Sequence, residues 1–124
     1  MREEFVAIEG ALGTLRGILH SPVGPDSGWS VVFVQGYFSS THVGPARLYV
    51  QLARRLAQQG IECLRIDPYG VGDSDGDFSE TSYESELADY RTALDWVERR
   101  QAPRKLALLG HCLGAGLSIR LAAA

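Results

Sequence analysis

Apolar and polar positions alternate weakly over Glu3–Glu9 (EEFVAIE) and again over Leu12–His20 (LGTLRGILH). A period of two predicts two short strands, and Gly10 between them predicts a hairpin-like pair. Ser21–Gly28 (SPVGPDSG) is turn chemistry. Trp29–Val34 (WSVVFV) is nearly continuous and β-branched, the pattern of a strand buried on both faces. From Pro45 to Gln59 the leucines at 48, 52 and 56 recur every four residues, with Tyr49 beside them. That spacing predicts a helix with Pro in its first turn and Gly60 just past its end. Ile61–Ile66 (IECLRI) reads as a strand, and Cys63 within it as a small buried apolar side chain.

Asp67–Ser82 is a long polar, glycine-rich connection. Thr81-x-x-Glu84 predicts a capping box for a helix whose face is Leu87, Tyr90, Leu94 and Val97. Pro103 ends that segment, Lys105–Leu109 (KLALL) is a fifth strand, and Gly114–Ala124 is a helix of small residues. The order β-β-β-α-β-α-β-α predicts one α/β domain over residues 1–124, with a mostly parallel sheet between helices. Repeats, low-complexity tracts and internal linkers are absent from the sequence.

Composition narrows the function. The formal net charge of -3 implies no broad basic surface, so nucleic acid and anionic membrane are not expected partners. The one basic cluster, Glu98–Lys105 (ERRQAPRK), is expected to sit near a helix C-terminus, where the dipole favours cations. Two cysteines make no disulfide framework, no signal sequence is visible, and no apolar run reaches ~18 residues. A reduced, cytoplasmic setting is the expectation.

Three constellations could carry chemistry. Gly110-His111-Cys112-Leu113-Gly114 follows a predicted strand and opens a predicted helix. A nucleophile on such a turn sits in a strained backbone, and the residues two before and two after it approach closely, so both favour glycine. The Cys112 side chain is expected at a helix N-terminus, where free N–H groups and the dipole favour negative charge. The N–H of Leu113 is expected to face an oxyanion. Gln35-Gly36-Tyr37 follows the third strand and is the candidate for a second oxyanion donor, the N–H of Tyr37, with Gly36 allowing the chain to turn. Gly36 and Phe38 are candidate substrate contacts.

The third constellation, residues 67–76 (DPYGVGDSDG), invites a calcium reading. Asp73-x-Asp75-x-Asp77 resembles the start of an EF-hand, but Gly76 falls at position four rather than six, and Glu84, at position twelve, is assigned to the helix cap. No metal is expected there, and no cofactor loop: a P-loop motif is absent, and glycines 70, 72 and 76 do not open a helix.

Taken together, VVFVQGYFSS, RIDPYGVGDSDG and LLGHCLGAG resemble, in this order, the strand and oxyanion loop, the D-x-x-G-x-G-x-S loop and the nucleophile elbow of the α/β-hydrolase superfamily. The resemblance covers Trp29 to Ala124 and is strongest to the serine-aminopeptidase-like and lysophospholipase-like branch. A Cys elbow and an oxyanion loop without His are also similar to hydrolases associated with exosortase gene clusters. Gln35 stands where the family usually has His. Cys112 stands where it usually has Ser, as in dienelactone-hydrolase-like members. The resemblance implies hydrolysis of esters or thioesters of a small acyl substrate, because thiolate is a strong nucleophile.

In the family order the acid and base follow the elbow. His20, His42 and His111 are the only histidines, and His42 alone is expected in a loop at the catalytic edge. The sheet is therefore expected to be truncated after the elbow helix, a partial hydrolase domain lacking its acid and base. The alternative is a catalytically inactive hydrolase-like protein that binds a ligand or a partner. A redox role has no C-x-x-C motif behind it.

Overall fold

The computed structural model describes residues 2–35, 41–100 and 103–123. Strands β1 (Glu3–Glu9), β2 (Thr14–His20), β3 (Trp29–Val34), β4 (Glu62–Ile66) and β5 (Lys105–Gly110) form one mixed sheet in the order β1-β2-β4-β3-β5. β3 is parallel to β4 and to β5, while β2 is antiparallel to both β1 and β4. Four strands thus share a direction and β2 runs against them. The hairpin turn occupies residues 10–13, closed by Gly10 N–H donating to Gly13 C=O at 2.9 Å. Leu12, expected in β2, is therefore exposed in that turn.

Alternation along the central strands divides the core between two layers. Val32, Val34, Leu64 and Ile66 face helices α2 (Tyr83–Arg100) and α3 (Leu113–Ala123). Val31, Phe33 and Cys63 face α1 (Leu48–Gln58). Cys63 is a core side chain, and burial pushes its thiol up to about 12, with Glu62 adding to the effect.

Helix α1 differs from the expectation in two ways. Pro45 opens a 3₁₀ turn, Pro45–Arg47, and the α-helix begins only at Leu48, because Ala46 (φ 51) and Arg47 (φ 62) are left-handed. Its buried face is Tyr49, Val50, Ala53 and Ala57 rather than the leucine row. The two alanines let the helix approach the sheet closely, and Leu52 and Leu56 pack at the side. The α2 cap also lies one residue later than expected. Ser82 and Ser85 exchange bonds, Ser85 N–H to Ser82 Oγ at 3.0 Å and Ser82 N–H to Ser85 Oγ at 2.8 Å, and Glu84 is exposed. A capping box does occur upstream, where Asp77 and Glu80 close the 3₁₀ turn Phe78–Glu80. The basic cluster is partly dipole chemistry, with Arg99 and Arg100 in the last turn of α2. It is partly ion pairing, of Arg100 with Glu62 and Arg104 with Asp26.

Candidate active site

β5 ends at Gly110 and α3 begins at Leu113, so two residues turn the chain from sheet to helix. Cys112 takes the sharp position with φ 57, a conformation that costs a residue with a side chain roughly 1–2 kcal/mol. Its side chain is exposed. The turn is held by Gly114 N–H donating to His111 C=O at 2.9 Å and Ala115 N–H to Cys112 C=O at 3.1 Å. Leu113 is the first residue of α3, and the first N–H groups of a helix have no intrahelical acceptor.

The flanking glycines are required by space. A Cβ on Gly110 would lie 2.5 Å from the carbonyl oxygen of Gly114. A Cβ on Gly114 would overlap the carbonyl oxygen of Val34 and lie 2.9 Å from the carbonyl of Gln35. The elbow therefore packs backbone against backbone, onto itself and onto the end of β3.

His111 is engaged by Tyr49. Its Nδ1 lies 2.9 Å from the hydroxyl of Tyr49, and the two rings meet edge-on at 5.8 Å. The same hydroxyl donates to the carbonyl of Val34 at 3.3 Å. Buried Tyr49 thus ties α1 to β3 and to the elbow, and burial raises its hydroxyl pKa. Sequence reasoning placed Tyr49 beside the leucine row and missed this role. Its contact with His111 joins residues 62 apart in the chain.

The proposed second oxyanion donor, Tyr37, and the proposed substrate contacts Gly36 and Phe38 lie outside the described residues. Gln35, just before them, is buried, and its N–H donates to the Tyr90 hydroxyl at 3.3 Å.

The other two histidines are committed elsewhere. A guanidinium only donates, so the 2.7 Å contact of Arg65 Nη1 with His42 Nδ1 makes that nitrogen an acceptor. The ring proton is then on Nε2, which faces Asp73 Oδ2 at 3.4 Å. Both ring nitrogens of His42 are thus engaged, by Arg65 and Asp73. His20 Nε2 accepts from Arg65 Nε at 2.9 Å. Burial, then the Arg65 charge, brings His20 down to about 4, so it stands neutral against the Glu3 carboxylate 3.5 Å away.

The acidic loop is used internally. Asp75 takes Arg16 at 2.7 Å and the Thr14 N–H at 3.0 Å, and Asp77 caps its own turn. His42, Asp67 and Asp73 bring ligand-type atoms within 4.8 Å of one another. Both Asp67 oxygens accept backbone N–H groups, however, and the Arg65 cation lies against His42, so this donor set does not suit a metal ion.

A strand, a left-handed Cys and a helix are joined in a tight turn through two glycines that leave no room for a side chain. The family model described as serine aminopeptidase, S33, matches residues 26–124. The chain belongs to this α/β-hydrolase family. Lysophosphatidylserine lipase ABHD12 from Danio rerio is 35% identical over 72 residues, covering 58% of this chain and 18% of that protein. Among solved structures, ferulic acid-bound Est1E from Butyrivibrio proteoclasticus has a TM-score of 0.80 at 27% identity, covering 95% of this chain and 46% of that one. An α-β serine hydrolase homologue from Coxiella burnetii has a TM-score of 0.79 at 25% identity, covering 98% and 58%. The chain thus spans about half the length of these structures and a fifth of the lipase. No helix among the described residues is long and apolar enough to cross a membrane.

Proposed function

We propose that the protein hydrolyses ester or thioester bonds of a small acyl substrate, with Cys112 as its nucleophile. The observation that carries this is the exposed Cys112 side chain at φ 57, on a turn built from close backbone contacts at Gly110 and Gly114. Strain of this kind persists where function uses it.

In the reaction, Cys112 Sγ attacks the acyl carbon and the carbonyl electrons move onto oxygen. The N–H groups of Leu113 and Tyr37 receive that oxyanion. Its collapse expels the alcohol or thiol, which leaves with a proton. Water then attacks the acyl-cysteine thioester, releasing the carboxylic acid and restoring the thiol. The acid and base are assigned to residues that follow the elbow in the family order, in the part of the fold these residues do not span. The commitments of His20, His42 and His111 support that assignment.

The names of two relatives support the ester class: one is a lipase, and the other was solved with ferulic acid bound. A thiolate leaves from a tetrahedral intermediate more readily than an amine, so a cysteine nucleophile favours esters and thioesters over amides. Turnover of matched p-nitrophenyl esters, thioesters and p-nitroanilides by the whole protein tests this. The expected result is cleavage of the first two, with the anilide slower by at least ~100-fold, on the order of 3 kcal/mol. Faster anilide cleavage would overturn the ester assignment. No turnover of any of the three would favour an inactive, ligand-binding hydrolase fold.

A further inference from the structure

Cys112 is bracketed by two contacts that meet at one hydroxyl. Before it, His111 Nδ1 lies 2.9 Å from the hydroxyl of Tyr49. After it, Gly114 packs so closely on the carbonyl oxygen of Val34 that a Cβ would overlap it. That same carbonyl accepts the Tyr49 hydroxyl at 3.3 Å. A hydroxyl has one proton, so with that proton on the Val34 carbonyl, His111 Nδ1–H is the donor to Tyr49. The residue before the thiol and the residue two after it are thus both tied to one oxygen atom, on a buried side chain of α1.

The backbone ahead of Tyr49 is bent to deliver it there. Gly44 stands at φ 75, and a Cβ on it would lie 2.7 Å from Tyr49 Cγ. Ala46 and Arg47 follow in the left-handed region, at φ 51 and φ 62, which residues with a side chain rarely adopt. The Tyr49 ring then meets Phe33 edge-on at 5.0 Å. Phenylalanine would fill that space as well, and would bury no hydroxyl in need of a partner.

We propose that Tyr49 is a positioning residue for Cys112, its hydroxyl fixing the strand-to-helix turn on the end of β3 through His111 and the Val34 carbonyl. The inference rests on the proposed acyl-transfer function. Attack on an acyl carbon needs the sulfur at a set distance and angle, with the Leu113 N–H in place for the oxyanion. A misplacement of about 1 Å there costs about 100-fold in rate.

Two reactions of Cys112 separate positioning from folding. Acylation by p-nitrophenyl acetate passes through an oxyanion. Alkylation by iodoacetamide displaces iodide at a saturated carbon and forms none. Both use the thiolate, so their ratio cancels any change in its population. Cys63 is buried and its thiol is held high, so both reagents report on Cys112. In the whole protein, Tyr49→Phe keeps the ring and loses both contacts of the hydroxyl. Its acylation rate is expected to fall about 10- to 30-fold, with alkylation within about twofold of wild type. His111→Ala leaves the hydroxyl on Val34 and removes only the contact before the thiol. It is expected to lose acylation about 3- to 10-fold, again without loss of alkylation, and it decides the matter where Tyr49→Phe does not fold. Because Tyr49 acts partly through His111, the double variant should lose no more than Tyr49→Phe alone. An unchanged ratio of the two rates in either single variant, or losses that multiply in the double variant, overturns the inference. Absence of acylation in the wild type would instead overturn the acyl-transfer reading itself, and the inference with it, before any variant is made.

Discussion

Cys112→Gly is expected to abolish ester turnover while making the protein more stable. Losing the nucleophile should lower turnover at least about 1,000-fold, as when the nucleophile of a triad enzyme is removed. The stability gain follows from the backbone. Cys112 holds φ 57, where a side chain costs roughly 1–2 kcal/mol and glycine costs almost nothing. Against this stands the extra unfolded-state entropy of glycine, ~0.5–1 kcal/mol. The exposed Cys112 side chain has little packing to lose. The net expectation is a gain of about 0.5–1 kcal/mol in urea unfolding. A nucleophile held on a strained turn exchanges stability for activity in this way. A thiol that merely filled space would show the opposite sign, and a stability loss in Cys112→Gly would argue for that.

Gly114→Ala is expected to be severe for a single methyl group. The new Cβ would overlap the Val34 carbonyl oxygen and sit 2.9 Å from the carbonyl of Gln35. Both neighbours are backbone of a buried strand end, so neither can rotate aside. The start of α3 must move away from β3 instead. The cost expected by thermal or urea unfolding is about 3 kcal/mol, the upper part of the overpacking range. Because α3 carries the Leu113 N–H and follows Cys112 directly, turnover of any surviving folded protein should fall about 100-fold. Gly116→Ala is the control. A Cβ there meets nothing within 4 Å, so it should add up to ~1 kcal/mol from helix propensity. Similar stability changes in the two variants would contradict the close-packed elbow.

The tight strand-to-helix turn at Cys112 was legible in the sequence because its requirements are local. Gly110 and Gly114 flank one residue between an apolar run and a helix of small residues, and the structure places Cys112 at the left-handed position between them. The central strands were legible for a similar reason, as β-branched runs such as Val31–Val34. What could not be read depends on distant partners. Tyr49 meets His111 across 62 residues, and Asp67 meets His42 across 25. His42 looked like a free loop histidine because nothing nearby in sequence announces that Arg65 will occupy its Nδ1. The antiparallel insertion of β2 between β1 and β4 is likewise a pairing across the chain. Smaller errors came from near-degenerate local signals. Thr81 and Ser82 are adjacent hydroxyls and either could cap α2, while Pro45 marks a 3₁₀ turn as readily as an α-helix.

Cys112 is proposed to carry the acyl group. The most direct measurement is to expose the whole protein briefly to p-nitrophenyl acetate, quench in acid, digest, and locate the acetyl group by mass spectrometry. The peptide containing Cys63 serves as an internal control, since that thiol is buried and held at about 12. One acetyl thioester is expected, on Cys112, appearing with the burst of p-nitrophenolate and disappearing as water completes the cycle. Esterase turnover with the acetyl group found on another residue, or continuing undiminished in Cys112→Ala, would contradict it.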